Sequence, residues 1–115
     1  RQSQTLFFFQ VGHEEFQIPF GEIIYFEGAG RKIVLHTLSE SIEFYGKLNE
    51  TWNQLNHELF TRSHASFLVN MEYIRTIRQN ELLVFNNISI PVSKRYRGQV
   101  KWDHMLFVER RNGTV

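Results

Sequence analysis

The sequence predicts a single, mainly β domain, and three observations lead to this fold class. Its 115 residues fall within the usual length of one domain. Short apolar runs alternate with turn residues along most of the chain, which is typical of short strands. Hydrophobic residues make up 42% of the chain and eleven residues are Phe, so there is enough apolar material for a packed core.

The first half of the chain contains five segments with the pattern of strands. The segment Leu6–Val11 ends at a glycine, and apolar and polar residues alternate over positions 16–20, which indicates one buried face. Residues 23–26 are apolar and are followed by a glycine-rich turn at 28–30. The two remaining strands are marked by two apolar pairs, Ile33 with Leu35 and Ile42 with Phe44.

Residues 47–57 have a helical period instead. Leu48, Trp52 and Leu55 are spaced at i, i+4 and i+7, so they line one face of a helix. Polar residues cover the opposite face. This spacing predicts a helix of about three turns.

The second half of the chain returns to the strand pattern. Four segments are predicted strands: residues 67–69, 73–78, 82–85 and 88–92. Tight turns are expected at residues 79–80 and 86–87. Pro91 favours an edge strand because proline lacks an N–H. Ser93 is expected to cap a short helix that begins there.

No catalytic or metal site is predicted. The chain has no cysteine, which excludes a disulfide framework, a thiolate metal site and a cysteine nucleophile. Its five histidines lack metal-ligand spacing, and Gly28 and Gly30 precede no predicted helix, so they form no phosphate loop. We therefore expect no enzyme activity, no cofactor and no metal. The longest apolar runs have four residues, which is too short for a membrane span.

Charge is divided unevenly along the chain. The formal net charge is +1, but residues 1–58 hold four Lys or Arg against eight Asp or Glu, whereas residues 59–115 hold nine against four. Such asymmetry between halves favours a polyanion as the partner.

Three basic segments are candidates for contact with such a partner. Arg31 and Lys32 follow the glycine-rich turn, residues 62–66 lie between the predicted helix and a strand, and residues 93–97 lie where a strand passes into a helix. All three are predicted to be loops. Their donors suit the phosphates and base edges of a duplex, although ordinary surface loops have the same composition.

Residues 60–70, FTRSHASFLVN, resemble the F-x-R-x-H-x-S-[FY]-x-V-N signature of LytTR-type DNA-binding domains. Further segments resemble the family pattern and stand in the family's order: residues 23–27, 42–48, 73–74 and 90–96. The resemblance extends from about residue 16 to residue 100. Residues 42–46 are similar to the accessory-gene-regulator type of response regulator.

The resemblance implies about ten short strands in small antiparallel sheets, with one or two short helices. It implies sequence-specific binding to double-stranded DNA by loops that enter successive major grooves. Such domains are the C-terminal effector part of bacterial, cytoplasmic response regulators. We therefore expect residues 1–115 to be one domain with its core at about 6–108, a fragment that lacks an N-terminal receiver or other input domain. Two copies are expected to bind a direct repeat as a dimer, and the isolated domain is expected to be a monomer.

The resemblance also carries eight residues over as DNA contacts. The first group is Arg31 and Lys32, the second is Arg62, His64, Ala65 and Ser66, and the third is Lys94 and Arg95. Arg31 and Lys94 are the strongest candidates for base contact. Ala65 departs from the family, in which Asn or Arg is frequent at this position, and alanine offers only an apolar contact such as one to a thymine methyl. Asn70 is expected to bond backbone groups rather than DNA.

Two other functions remain open on the sequence. The basic half would also suit a β-rich protein-interaction module that docks an acidic partner. The aromatic residues, which are expected to build the core, would otherwise suit a platform for single-stranded nucleic acid. Sequence-selective binding at moderate salt, and preference for duplex over single strands, distinguish the three functions.

Overall fold

The computed structural model describes residues 5–113, and its secondary structure is mainly β. The strands within these residues are β1 (Leu6–Val11), β2 (Glu14–Pro19), β3 (Ile23–Ala29), β4 (Lys32–Thr37), β5 (Ser41–Tyr45), β6 (Phe60–His64), β7 (Phe67–Asn70), β8 (Thr76–Ile77), β9 (Glu81–Val84) and β10 (Ile88–Pro91). The α-helices are α1 (Leu48–Gln54) and α2 (Arg97–Arg111). The predicted fold class is therefore confirmed.

The strands form three antiparallel sheets. The central sheet has five strands in the order β5-β4-β3-β7-β6. Strands β1 and β2 form a separate hairpin, and the third sheet has the order β10-β9-β8. Strand β3 pairs with both β4 and β7, which brings the first half of the chain against the second.

The middle of the central sheet, at β3 and β7, is buried on both faces. Phe26 and Leu68, which are paired across β3 and β7, belong to a core shared with the β1–β2 hairpin and α1. Tyr25 and Val69, the next pair on the same strands, belong to a second core shared with the three-stranded sheet and α2. Because successive residues of a strand point to opposite faces, β3 supplies both cores and has a continuous apolar sequence.

Phenylalanine rings occupy much of the first core. The ring of Phe7 contacts those of Phe9, Phe26 and Phe44, with centroid separations of 5.6, 5.0 and 5.9 Å. These separations lie in the range that favours offset and edge contacts between rings. These aromatic residues pack in the core, as their number in the sequence predicts.

The segment before β7 differs from the prediction, which places residues 62–66 in a loop. Phe60–His64 is strand β6, and only Ala65 and Ser66 form the turn. Strand β6 is hard to recognise because Thr61 and Ser63 are polar and yet buried. The Thr61 hydroxyl donates a hydrogen bond of 2.7 Å to Asp103 of α2, which satisfies a polar group at a core position.

The strand predicted at residues 73–78 is also shorter in the structure. Met71–Tyr73 forms a 3₁₀ turn, and β8 contains only two residues. The turn begins at Asn70, whose side chain accepts a hydrogen bond of 2.8 Å from the Glu72 N–H. A local side-chain bond of this kind offers the backbone an alternative to strand pairing.

Both helices differ in length from their predictions. Helix α1 has seven residues and ends before Leu55, whose backbone is extended, whereas α2 has fifteen. The length of α2 is hidden in the sequence because three of its large apolar residues are exposed: Trp102, Met105 and Val108. The Ser93 side chain makes no capping bond. The Ser93 carbonyl instead accepts the Tyr96 N–H at 3.0 Å, in a 3₁₀ turn (Lys94–Tyr96) that precedes α2.

Candidate nucleic-acid interface

The three predicted contact segments lie side by side: the first at residues 31–32, the second at 62–66 and the third at 93–97. The Gly28 N–H donates to the Ser66 carbonyl at 2.8 Å, which joins the β3–β4 hairpin to the β6–β7 turn. The Ser93 N–H donates to the Ser63 carbonyl at 2.9 Å, which joins the 3₁₀ turn before α2 to β6. The backbone therefore links the three segments, with the second in the middle.

The first contact segment is the turn between β3 and β4. Gly30 has a φ of 65°, a left-handed conformation that glycine adopts without strain, and Arg31 follows it in the turn. Arg31 is exposed, and its guanidinium makes no ion pair or hydrogen bond within residues 5–113. Lys32 is held in place, because its ammonium lies 3.5 Å from the Glu43 carboxylate and 5.3 Å from the centre of the Tyr45 ring.

The second contact segment contains the β6–β7 turn. His64 Nδ1 accepts a hydrogen bond of 3.0 Å from the Ser66 N–H, so the neutral ring carries its proton on Nε2. The same ring packs edge-on against Phe67, with their centroids 5.7 Å apart. Ala65 is exposed in the turn. The turn therefore presents a methyl group and an imidazole N–H donor.

Arg62 holds the shape of that turn. Its Nε and Nη2 groups donate to the carbonyls of His64 and Ala65 at 3.3 and 2.6 Å, respectively. Its Nη1 group donates to Asn49 Oδ1 of α1 at 2.6 Å, and the guanidinium lies 5.8 Å from the centre of the Tyr96 ring. Because a guanidinium has five N–H groups, two remain for a ligand.

The third contact segment is the 3₁₀ turn before α2. Lys94 and Arg95 are exposed, and neither side chain makes an ion pair or hydrogen bond in the part of the chain that the structure describes. The Arg95 guanidinium lies 5.3 Å from the centre of the Tyr96 ring. Tyr96 therefore contacts both Arg62 and Arg95, and this ring connects the second and third segments.

A cleft of about 710 Å³ lies between the first and second contact segments. Predicted contact residues from both segments line it: Arg31, Lys32, Ala65 and Ser66. The β5–α1 connection supplies further lining residues, among them Tyr45, Gly46 and Lys47. The structure thus brings the first two groups of predicted residues to one cavity. Lys94 and Arg95 do not line it, and the third segment adjoins the second through β6 instead.

The cations of the described chain fall into two groups. Six are engaged in the fold by carboxylates or carbonyls: Lys32 with Glu43, Arg62 with His64 and Ala65, Arg78 with Glu81, Arg97 with Gln79, Arg110 with Glu58, and Arg111 with Glu72. Within residues 5–113, six others make no side-chain ion pair or hydrogen bond: Arg31, Lys47, Arg75, Lys94, Arg95 and Lys101. Three of these six are predicted DNA contacts, and Lys47 lines the cleft beside them. Unpaired positive charge is therefore concentrated near the contact segments.

The sequence does not predict that Tyr45 and Lys47 line the cleft beside the predicted contact residues. The Tyr45 side chain is 75% exposed, although it follows the buried Phe44. Strand alternation already places Tyr45 on the solvent side, which is the one signal that the sequence offers. Lys47 directly precedes α1, where the helical pattern explains the segment without a ligand.

The contact segments present hydrogen-bond donors and positive charge to a ligand. Among the described residues, no three His, Asp or Glu side chains are placed to hold a metal ion. None of the described helices has the length and apolar character needed to cross a bilayer.

The sequence of this chain is similar to a known protein family and to two curated proteins. The sequence profile of the LytTr DNA-binding domain matches residues 13–103. The chain is 37% identical over 54 residues to the transcriptional regulatory protein NatR of Bacillus subtilis (strain 168), a match that covers 47% of this chain and 23% of NatR. It is 33% identical over 76 residues to accessory gene regulator protein A of Staphylococcus aureus (strain N315), which covers 64% of this chain and 31% of that protein.

A solved structure has the same fold. It is the LytTr DNA-binding domain of a methyl-accepting/DNA response regulator from Bacillus cereus, with a TM-score of 0.76 and 22% sequence identity. The superposition covers 87% of this chain and 96% of that domain. The chain spans less than a third of the length of the two curated relatives. Since the family profile matches most of the sequence, this chain belongs to the LytTr DNA-binding domain family.

Proposed function

We propose that this domain binds double-stranded DNA sequence-specifically, as the effector domain of a bacterial transcriptional regulator. The observation that carries the proposal is the backbone-linked set of three contact segments, of which the outer two carry cations that make no ion pair or hydrogen bond within residues 5–113. Such a set suits a duplex because phosphate oxygens and base edges recur at regular intervals along it. NatR and accessory gene regulator protein A are named as regulators. We propose the same role for the protein that contains this domain, as a response regulator with a receiver or other input domain.

In this proposal Arg31 and Lys94 contact base edges in successive major grooves. Arg31 is exposed in its turn and makes no side-chain ion pair or hydrogen bond within residues 5–113, and a guanidinium can donate to both O6 and N7 of a guanine. Lys94 is exposed at the first position of the 3₁₀ turn and can donate to the same acceptors. The two side chains belong to the outer contact segments, so they suit separate positions on the duplex.

The second contact segment approaches the DNA between them with small groups. His64 donates from Nε2, Ala65 contacts a thymine methyl, and Ser66 contacts a phosphate. Further phosphate contacts come from cations that a ring or a carbonyl already orients, and these are Lys32, Arg62 and Arg95. A side chain that is oriented before binding loses less conformational freedom on binding.

The proposed binding unit on DNA is a pair of domains on a direct repeat. Each domain makes its own contacts with its half of the repeat, so the pair needs no stable contact between domains in solution. The isolated domain is therefore proposed to be a monomer. In this proposal the domain performs no catalytic step, uses no metal or cofactor, and acts in the cytoplasm.

Selection of duplexes from a random library, followed by fluorescence anisotropy titration, tests the proposal. We expect one sequence class to be enriched. Arg31→Ala should weaken binding to that sequence by about 1–3 kcal/mol, the usual value of a bidentate base contact, and should change binding to random duplex much less. An equal loss on both duplexes would reassign Arg31 to a phosphate.

Arg110→Ala is the control, because Arg110 is engaged with Glu58 and lies outside the contact segments. It should leave both affinities unchanged. Absence of sequence-selective duplex binding at moderate salt would overturn the proposal. Capture of an acidic polypeptide instead would support a protein-interaction module, and preference for single strands would support the aromatic-platform function.

A further inference from the structure

A fourth segment, residues 45–47 between β5 and α1, lines the cleft together with the first two contact segments. The Gly46 N–H donates to the Arg31 carbonyl at 3.1 Å. The next side chain, Leu48, lies over Gly28, where a Cβ would be 3.7 Å from Leu48 Cδ2. The position of the segment is therefore set by the same hairpin that carries Arg31.

Two side chains of this segment are available to a ligand. Tyr45 is 75% exposed, and the centre of its ring lies 5.3 Å from the Lys32 ammonium, so the ring lies beside a predicted contact residue. Lys47 is exposed, and its ammonium makes no ion pair or hydrogen bond within residues 5–113. Among the described residues, neither side chain belongs to either core.

We propose that Tyr45 and Lys47 bind the phosphate backbone of the DNA whose bases Arg31 contacts. This inference rests on the proposed function and deepens it. Lys47 supplies a flexible point charge, and the Tyr45 hydroxyl donates a hydrogen bond to the same backbone. Because Gly46 is bonded to Arg31, the phosphate contact sets the register in which the Arg31 guanidinium meets its base.

Glu50 provides a second way to examine the same surface. Glu50 is the one acidic residue among the described residues that line the cleft, and it lies three positions after Lys47. A carboxylate at this place repels a phosphate held by Lys47. Removal of its charge should therefore tighten binding to DNA.

Lys47→Gln tests the inference through the salt dependence of binding. For B-DNA, the slope of log K against log salt changes by about 0.9 for each phosphate that is neutralised. Lys47→Gln should reduce the slope by that amount on the selected duplex and on random duplex. Lys101→Gln is the matched control, because Lys101 is equally exposed and unpaired within residues 5–113 but does not line the cleft. Its slope should stay at the parent value.

Tyr45→Phe and Glu50→Gln distinguish a contact from a loss of structure. Tyr45→Phe keeps the ring over Lys32 and should weaken DNA binding several-fold without a change in Tm. Glu50→Gln should strengthen binding, a gain that misfolding cannot produce. An unchanged slope for Lys47→Gln, an equal fall for Lys101→Gln, or an unchanged affinity for Glu50→Gln would overturn the inference. Failure of the proposed function is a separate result, seen as absence of selective duplex binding by the unsubstituted protein.

Discussion

Single side chains in this domain serve both the fold and the proposed interface, and Arg62 is the clearest case. Three of its donor groups bond Asn49 and the carbonyls of the β6–β7 turn, while the guanidinium also contacts Tyr96. These contacts depend on the planar fork of arginine rather than on its charge alone. The two N–H groups that remain are the ones available to a phosphate.

Arg62→Lys and Arg62→Ala should separate these two roles. Both variants lose the bonds to the turn carbonyls, so both should lower the free energy of unfolding by about 1–2 kcal/mol, measured by urea unfolding. Arg62→Lys keeps the positive charge and should keep the salt dependence of DNA binding. Arg62→Ala should reduce the slope by about 0.9, the value for one phosphate. Identical slopes for the two variants would remove Arg62 from the phosphate contacts.

At the scale of elements, the docking of α2 supports the strand that leads into the second contact segment. Helix α2 packs against β6. Asp103 of α2 accepts hydrogen bonds from the Thr61 hydroxyl of β6 and from Gln99 of its own helix. The same helix contains His104, whose ring lies next to that of Phe107. Burial of His104 lowers its pKa below the usual value of 6.5.

The stability of the domain should therefore fall at mildly acidic pH. The unfolded chain protonates His104 at about its usual pKa of 6.5, whereas the folded state takes up this proton only at lower pH. The contribution is fully present above 6.5 and is lost as the pH falls from 6.5 towards the folded-state pKa. Urea unfolding between about pH 7.5 and pH 5.5 should show this loss, and His104→Leu should reduce it. The same pH dependence in His104→Leu would contradict the assignment.

At the scale of the whole molecule, the fold brings an acidic half and a basic half together. The β3–β7 pairing and the buried Asn70 side chain make this connection. Asn70 Nδ2 donates to the carbonyls of Phe20 and Ile23 at 3.1 and 2.9 Å, and its Oδ1 accepts the Glu72 N–H. The net charge of +1 is thus a poor guide to the partner, because it averages over two halves of the chain with opposite net charge.

Asn70→Ala should lower the free energy of unfolding by about 1–3 kcal/mol, because it leaves buried carbonyls without a donor. Asn70→Asp should cost more, since it keeps the acceptor for Glu72 but places a carboxylate against two carbonyl oxygens. Thermal and urea unfolding of the two variants measure the order. A smaller loss for Asn70→Asp than for Asn70→Ala would contradict this account of the side chain.

Two residues of the sequence motif at residues 60–70 have structural roles in the domain. His64 bonds the Ser66 N–H, and Asn70 bonds backbone groups as predicted. Strand β6 was not predicted because periodicity assumes apolar buried positions, whereas Thr61 and Ser63 are buried there. The length of α2 was hidden by exposed residues such as Trp102. The DNA contacts of the eight matched residues remain predictions.

The sequence does not predict the cleft, because the residues that line it are far apart in the chain. Tyr45 and Lys47 lie beside Arg31 and Ser66 only after β5, β3 and β7 have assembled. No local pattern marks such a neighbourhood. The role of Arg62 in shaping its turn is hidden for the same reason, since Asn49 and Tyr96 are remote from it in sequence.

The two backbone hydrogen bonds that flank the β6–β7 turn also constrain the length of any operator that the domain recognises. Because Gly28 and Ser93 tie the outer segments to the central one, Arg31 and Lys94 cannot shift independently along a duplex. In the proposed binding mode, the base pairs that they contact are then a constant number of steps apart. One inserted base pair rotates the far groove by about a tenth of a helical turn, out of reach of a rigid reader. In this binding mode, an operator should tolerate neither insertion nor deletion of base pairs between the two contacted positions.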